Sequence, residues 1–227
     1  MTACRHHSHY AGAGNQKPDQ PKVIGLTGGI GSGKSEVGRI LADLGCVVTC
    51  SDEEVREVLT KDDSIRETLV KWWGNSILDG KGGIDRQAVA QIVFSSPMER
   101  NRLEALIHPR IEVRRRENWV DAQQAAMQRG TKISAFVIDA PLLFEVGLDA
   151  ECDAIVFVDA SLETRAERVR IGRGWDAEEL KIREKAQSGL ETKRSRSDYV
   201  IRNDGSLDDL RKNVKRVLDM ILANDAA

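Results

Sequence analysis

Residues 28–35 read Gly28-Gly29-Ile30-Gly31-Ser32-Gly33-Lys34-Ser35 and match the pattern G-x-x-x-x-G-K-[ST] at every defined position. The apolar run at residues 23–26 before them predicts a short β-strand. The apolar residues after them repeat with the spacing of an amphipathic helix, at Val37, Ile40, Leu41 and Leu44. A strand, a glycine-rich turn and a helix in this order favour a phosphate-binding loop over an ordinary turn with a chance Lys-Ser pair.

The chemistry of such a loop follows from its backbone and from two side chains. Glycines let the chain wrap around a phosphate and direct N–H groups at it, and the helix N-terminus adds partial positive charge. In this pattern Lys34 reaches the β- and γ-phosphates, and the hydroxyl of Ser35 coordinates Mg²⁺. The sequence therefore predicts that residues 28–35 bind a nucleoside triphosphate.

Length and composition exclude several other classes of protein. A chain of 227 residues is long enough for one well-buried α/β domain with small insertions. Its 41% hydrophobic and 31% charged residues are typical of a soluble globular protein. The net charge of -2 argues against a general nucleic-acid or membrane surface, since both need a basic excess. Because the sequence has no apolar run of transmembrane length and no signal-peptide core, we expect a cytoplasmic protein.

Neither the leader nor the cysteines are predicted to form a catalytic or metal site. Residues 1–21 are polar and without periodicity, so we expect a disordered leader; its histidines could bind a metal adventitiously, but a mobile tail is the favoured interpretation. The four cysteines do not have the spacing of a disulfide framework. Cys46 and Cys50 could be half of a metal site, but no second ligand pair lies nearby, so we expect buried, reduced thiols.

The rest of the chain alternates strands with helices, which predicts a P-loop NTPase-type α/β fold with a parallel sheet of about five strands flanked by helices. The predicted strands are residues 22–26, 46–50, 133–138, 154–158 and 199–201. The long helical segment after the second strand is broken at residues 79–83 and at Pro97. We interpret residues 56–127 as a helical acceptor-binding insertion, residues 22–55 and 128–227 as the nucleotide-binding core, and residues 168–196 as a lid within that core.

Asp52 follows the second predicted strand, in the segment Thr49-Cys50-Ser51-Asp52. Ligands of open α/β sheets bind beyond the carboxyl ends of the strands, so we expect Asp52 near the triphosphate. A carboxylate there can accept the proton of an attacking hydroxyl group or hold Mg²⁺ through water. Helix capping by Ser51 or Asp52 is the other interpretation, and both can be true.

Asp139 ends the third predicted strand. An apolar strand that ends in Asp is the second magnesium-holding element of phosphate-loop enzymes, a weak signal alone that gains weight beside residues 28–35. Pro141 then ends strand pairing, so the segment that follows should turn over the site.

Arginines are concentrated late in the chain, at Arg165, Arg168, Arg170, Arg173, Arg183, Arg194 and Arg196. Guanidinium groups suit phosphate oxygens, but most charged helical residues face solvent, so we expect two or three of these side chains to contact the triphosphate. The run at residues 114–116 could be a phosphate patch or plain surface, and we interpret it as surface.

Taken together, these segments resemble the dephospho-CoA kinase family from residue 22 to the last helix. Besides residues 24–35, the resemblance rests on motifs in the family's order: Asp79-Gly80, Ile84-Asp85-Arg86, Val93-Phe94, Leu103-Glu104, Ile107-His108-Pro109, Pro141-Leu142-Leu143-Phe144-Glu145, Gln187, Lys193, Asp198 and Val200-Ile201-Arg202-Asn203. A phosphate loop alone indicates only a kinase or NTPase, whereas this series indicates which kinase family.

The resemblance implies transfer of the γ-phosphoryl group of ATP to the ribose 3′-hydroxyl of dephospho-CoA, with Mg²⁺. It implies that Asp52 is the base and that Lys34, Arg168 and Arg173 stabilise the transferred charge, while Ser35 and Asp139 hold the metal. Glu36 and Asn203 would join the loop in binding ATP. Besides Asp52, the acceptor would contact His108, Pro109, Arg110, Leu142, Leu143, Phe144 and Glu145. The His108-Pro109 pair is also open to interpretation as a helix break. No nucleic acid, membrane or obligate protein partner is implied.

Three positions depart from the family's pattern. Cys50 stands where the family often has the first carboxylate of an Asp-Ala-Asp triplet, whereas Asp52 keeps the second. Glu36 replaces the usual Thr after Gly-Lys-Ser, and Arg165 stands where Gln is frequent. The base assignment is unaffected, but a paired carboxylate is absent and the identity of the lid arginines is open.

Two other functions compete with this one. A nucleoside monophosphate kinase would fit the loop and the lid equally well, but not residues 141–145. A GTPase-type switch needs an Asn-Lys-x-Asp segment to read guanine, and the nearest match, Asn203-Asp204-Gly205, lacks the lysine. Preference for ATP or GTP, and turnover with dephospho-CoA, separate the three.

Overall fold

The computed structural model describes residues 20–184 and 189–224. The strands within these residues are β1 (Lys22–Gly28), β2 (Val47–Cys50), β3 (Ala135–Asp139), β4 (Ala154–Asp159) and β5 (Tyr199–Arg202). The α-helices are α1 (Lys34–Asp43), α2 (Ser51–Lys61), α3 (Asp63–Trp73), α4 (Arg86–Ser95), α5 (Pro97–Arg129), α6 (Leu162–Arg173), α7 (Ala177–Glu184), α8 (Leu190–Ser195) and α9 (Leu207–Ala223). The predicted leader, apart from residues 20 and 21, and Gln187 lie outside the described residues.

All five strands pair in parallel, in the order β2-β3-β1-β4-β5. This confirms the predicted sheet, and each strand lies within two residues of its predicted start. The register places Asp139 beside Cys50 on one side and beside Leu26 on the other. The carboxyl ends of β1, β2 and β3 therefore meet at one edge, where the loop after β1 also begins.

The main core lies between the sheet and helices α1 and α9. Ile24 and Leu26 of β1 are fully buried, and the predicted stripe of α9 packs against them with Leu210, Val214, Val217, Leu218 and Ile221. Each such side chain contributes about 1.5–3 kcal/mol relative to an exposed position. Leu207, which the pattern placed on the same face, is exposed because it begins the helix.

Helices α2 to α5 enclose a second apolar cluster, with Val58, Ile65, Leu69 and Ile107 among its buried members. The predicted break at residues 79–83 is a tight turn, closed by a hydrogen bond of 2.8 Å from the Asp79 N–H to the Gly83 carbonyl. Pro97 occupies the first position of α5, where its missing N–H costs nothing. Both predicted breaks are confirmed.

The helix break suggested at His108-Pro109 is wrong, because α5 continues through Pro109 to Arg129. An interior proline costs about 3 kcal/mol or more. Ile107 and Ile111, one on each side of Pro109, are buried against the neighbouring helices. Their burial holds the helix together across the proline, whose own side is exposed.

The interpretation of residues 114–116 as surface needs correction at one position. Arg116 is exposed, and Arg114 is partly exposed against Glu57. Arg115, by contrast, is 1% exposed, and its Nη2 donates to Oε2 of Glu151 at 2.7 Å. The helix turns this one guanidinium inward, toward the junction of α2, α5 and the sheet.

The cysteines of the described residues are free thiols. Burial raises the pKa of Cys46 to about 11 and that of Cys152 to about 12, which disfavours the reactive thiolate. Cys46 is buried, as expected, whereas Cys50 and Cys152 are partly exposed. In the part of the chain that the structure describes, no helix combines the length and the apolar composition needed to cross a bilayer.

Candidate active site

The glycine-rich loop connects the end of β1 to the start of α1. Gly31 and Gly33 have φ values of +78° and +89°, a conformation that side chains with a Cβ rarely adopt. A Cβ on Gly33 would also lie 2.1 Å from Nδ2 of Asn203. Glycine is therefore required at Gly33 both by its own backbone conformation and by a neighbour from after β5.

Two side chains from outside the loop hold its backbone in place. The amide of Asn203 donates to the Ser32 carbonyl at 2.8 Å. Arg168 of α6 donates to the same carbonyl at 3.2 Å and to the Asn203 carbonyl at 2.9 Å. These contacts occupy carbonyl oxygens, not loop N–H groups; of those N–H groups, the one of Ser32 donates to the Gly29 carbonyl at 3.1 Å. The buried hydroxyl of Ser32 has no hydrogen-bond partner, which fits a cradle whose partner is a phosphate.

Arg165, the departure from the family's pattern, is a structural contact of the same loop. It is 5% exposed and donates to the carbonyls of Ile30 at 3.3 Å and Ala160 at 3.2 Å. Its guanidinium also pairs with Glu184 at the end of α7. Arg165 thus connects the loop to α7, which lies within the predicted lid.

Lys34 and Asp139 form an ion pair in the site. Their Nζ and Oδ1 atoms are 2.5 Å apart, and the two side chains are 14% and 9% exposed. Within the described residues no group of three or more His, Cys, Asp or Glu side chains could hold a metal alone. Mg²⁺ typically takes one or two protein oxygens together with waters and substrate phosphates, so the hydroxyl of Ser35 and the carboxylate of Asp139 are a donor set that fits it.

Asp52 lies in the first turn of α2, directly after β2. The helix begins at Ser51 with Cys50 at the N-cap position, and no side chain caps it. Capping by Ser51 or Asp52 is therefore wrong. The exposed carboxylate of Asp52 faces a cavity, where it is available for chemistry.

This cavity, of about 1030 Å³, is large for a single small molecule. It brings together these predicted site residues: Gly28, Gly29, Ile30, Gly31, Ser32, Gly33, Lys34, Ser35, Asp52, Asp139, Leu142, Arg168 and Arg173. Basic side chains from the loop and from α6 and α7 therefore share one space with two carboxylates at the strand ends.

Other predicted site residues lie outside the cavity wall. Asn203 is buried behind the loop, and Glu36 is bonded to Arg39 on α1. The exposed side chains of His108, Pro109 and Arg110 lie on α5. Their predicted contacts with the acceptor stay predictions.

The segment after β3, residues 141–145, is held in place by the core and by side chains of α8 and the residue after it. Leu143 is 0% exposed in the core, and Phe144 lies under the guanidinium of Arg196 at 4.2 Å. Glu145 pairs at 2.9 Å with Lys193, a fully buried lysine of α8 that also donates to the Pro141 carbonyl at 2.6 Å. Of residues 141–145, only Pro141 and Leu142 line the cavity.

Several cavity residues were not predicted as site residues. Phe94, which is 84% exposed, comes from α4, and Trp175 and Ile182 come from the lid segment. The guanidinium carbons of Arg173 and Arg183 lie 4.8 and 4.1 Å from the Trp175 ring centre. For Trp175 the available signal was an aromatic residue between arginines in a polar segment. For Phe94 it was the Val93-Phe94 motif of the family resemblance, which assigned the residue no contact.

Comparison with known proteins agrees with this arrangement. The family model for dephospho-CoA kinase matches residues 22–209. A dephospho-CoA kinase of Chlorobaculum tepidum is 37% identical over 206 residues, covering 89% of this chain and 96% of the relative. One of Arabidopsis thaliana is 40% identical over 197 residues, covering 87% and 82%.

Solved structures give the same result. The crystal structure of a Thermus thermophilus protein has a TM-score of 0.71 at 34% identity and covers 89% of this chain and 98% of its own. A dephospho-CoA kinase from Campylobacter jejuni, at 24% identity and a TM-score of 0.60, has the same fold over the same shares. The family match over most of the chain and relatives of this similarity lead to one conclusion: the chain belongs to the dephospho-CoA kinase family.

Proposed function

We propose that the protein transfers the γ-phosphoryl group of ATP to the ribose 3′-hydroxyl of dephospho-CoA, giving coenzyme A and ADP. The single observation that carries the proposal is the cavity in which the phosphate loop, the carboxylate of Asp52 and lid residues meet. Family membership supports the choice of acceptor.

Phosphoryl transfer depends on positioning and on stabilising charge on the phosphoryl oxygens. Backbone N–H groups of the loop other than that of Ser32 would bind the phosphates, and Lys34 would neutralise charge at the β- and γ-positions. Arg173 lines the same cavity from the end of α6 and would bind from the lid side. Arg168 would act mainly by holding the loop, since its guanidinium already donates to loop carbonyls.

Asp52 would orient the acceptor hydroxyl and take its proton. The carboxylate is solvent-accessible, follows the carboxyl end of β2 and lines the same cavity as the loop. Ser35 and Asp139 would hold Mg²⁺, which supplies charge neutralisation to the bound phosphates. Phe94 of α4 and Trp175, between α6 and α7, both line the cavity and would help to exclude water, which otherwise competes with the acceptor.

A coupled assay of ADP release tests the proposal. ATP and Mg²⁺ would be supplied with dephospho-CoA, with AMP, or with no acceptor, and GTP would replace ATP in a parallel series. We expect rapid, stoichiometric ADP release with dephospho-CoA only. Faster release with AMP would indicate a nucleoside monophosphate kinase instead. Tight GTP binding without acceptor-dependent turnover would indicate a nucleotide-dependent switch.

A further inference from the structure

Outside the phosphate loop, the buried polar side-chain atoms of the described residues that have no hydrogen-bond partner belong to two helices that pack together, α2 and α5. Apart from the Ser32 hydroxyl, such atoms in the described residues belong to four side chains, namely Ser51, Glu54, Arg115 and Trp119. Both carboxylate oxygens of Glu54 are among them, although the residue is only 6% exposed. Nearly all buried polar groups in native proteins are paired, so these exceptions need an explanation.

The four side chains come from two helices, and the positive charge of Arg115 acts on the Glu54 carboxylate, where it opposes the rise in pKa that burial causes. Ser51 and Glu54 are three residues apart on α2, and Arg115 and Trp119 are four apart on α5, so each pair shares a helix face. The two helices pack together. Glu54 is an acceptor when ionised, whereas Nε of Arg115 and Nε1 of Trp119 can only donate. Nη2 of Arg115 already donates to Glu151. Its Nε and the Glu54 carboxylate are complementary groups that have no hydrogen-bond partner in the described residues.

Glu54 lies two residues after Asp52 on α2. Two residues along an α-helix correspond to a rotation of about 200°, so Asp52 and Glu54 point to opposite sides of α2. The first turn of α2 has no side-chain cap. The packing of the buried Glu54 side chain between α2 and α5 can therefore influence the rotation of this turn, and with it the direction of Asp52.

We propose that Glu54 is a positioning residue for Asp52: when the acceptor binds, Glu54 pairs with Arg115 across the interface of α2 and α5 and fixes the first turn of α2. The inference rests on the proposed function. It explains why an unpartnered carboxylate is kept in an interface that an apolar side chain would fill at lower cost. Functional sites are where such local costs are tolerated.

The test replaces Glu54 by Leu, which has a similar size and no charge. We expect Glu54→Leu to lower kcat for dephospho-CoA about tenfold to a hundredfold, as for a misdirected catalytic group. The KM for ATP should stay within about twofold, because the loop is untouched. The Tm of the free protein should hold or rise, since an unpaired buried carboxylate is removed.

Two further variants separate positioning from packing. Glu54→Gln keeps an oxygen that accepts from Arg115 and should recover most of kcat. In the double variant Glu54→Leu/Arg115→Met, the second change should add little to the loss in kcat, because the pair acts as one unit. Glu57→Gln is the matched control: Glu57 lies one turn along α2 and contacts Arg114 of α5, so its kcat should match the wild type.

Each result supports or overturns the inference. A Glu54→Leu protein with wild-type kcat overturns it, and so does one that unfolds, because Glu54 would then be a structural residue. Equal losses in Glu54→Gln and Glu54→Leu also overturn it. If the wild type itself shows no turnover with dephospho-CoA, the proposed function fails instead, a result that these variants do not influence.

Discussion

Lys34 pairs with the carboxylate of Asp139 in this structure, and in the proposed reaction it would also contact the phosphates. We expect Lys34→Ala to lower turnover by about two to three orders of magnitude, as for loss of a charge that stabilises the transition state. It should also cost about 1–3 kcal/mol of stability, because Asp139 loses its partner in a nearly closed position.

The double variant Lys34→Ala/Asp139→Asn separates these effects. Because Asp139→Asn removes the carboxylate charge that Lys34→Ala leaves unpaired, the double variant should regain much of the lost Tm but not the lost turnover. Thermal unfolding measures the Tm, and ADP release measures the turnover. Near-wild-type turnover of Lys34→Ala would contradict the loop assignment.

Asp52 tests the assignment of the base. Since Asp52 caps nothing, Asp52→Asn should fold normally, losing no more than about 0.3–1 kcal/mol of favourable interaction with the helix dipole. It should still bind ATP, but turnover should fall by roughly two to four orders of magnitude. Glu53→Gln removes a neighbouring charge from the same turn and serves as the control. If both variants turn over at the same rate, Asp52 is not the base.

At the scale of elements, α6 and α5 present arginines in different surroundings. Arg173 ends α6 at the cavity, whereas Arg116 of α5 is exposed and pairs with Glu112. We expect Arg173→Ala to lower kcat about tenfold or more, because it removes a positive charge from the cavity of the proposed triphosphate site, and Arg116→Ala to leave kcat unchanged. Steady-state kinetics measure kcat for both variants. Equal losses of kcat would contradict a functional difference between the predicted lid and α5.

Helix α2 also predicts a pH dependence of stability. Burial raises the pKa of Glu54 from 4.5 to about 7; Arg115 and Arg114 oppose the shift, and Glu151 and Glu57 add to it. The folded state therefore binds the proton more tightly than the unfolded state. The stability contributed is complete below pH 4.5 and is lost as pH rises through 7, by roughly 3 kcal/mol.

Urea unfolding between pH 5 and 8 measures this effect. The wild type should lose stability across that window relative to Glu54→Gln, which has no proton to release. Parallel curves for the two proteins would show that Glu54 does not titrate in this range.

At the scale of the whole molecule, the sheet brings distant segments to one edge. Residue 28 at the end of β1, Cys50 and Asp139 lie on adjacent strands, and α6 and α7 add the other wall. A ligand that contacts all of them should stabilise the whole fold.

A non-hydrolysable ATP analogue with Mg²⁺, at about a hundred times its Kd, should raise Tm by roughly 5–10 °C, from about 2.7 kcal/mol of linkage. Lys34→Ala should show a much smaller shift at the same concentration. Differential scanning calorimetry provides the measurement. An equal shift in both proteins would mean that the analogue binds elsewhere.

The features that local patterns encode could be read from the sequence. The phosphate loop, the parallel sheet and the apolar stripe of α9 follow from residue spacing over a few turns or strand lengths, and they agree with the structure. The family resemblance follows from motifs of the same local kind. Asp52 and Asp139 were placed near the loop because strand ends share an edge, a rule of topology that needs no coordinates.

Tertiary structure alone decided which side chains engage one another. The pairing of Lys34 with Asp139, the inward turn of Arg115 and the contact of Phe94 with the cavity each join segments far apart in the chain. So does the burial that carries α5 through Pro109. These contacts depend on the register and packing of whole elements, whose surfaces meet only in the folded molecule. The periodicity of residues along the chain therefore does not predict them.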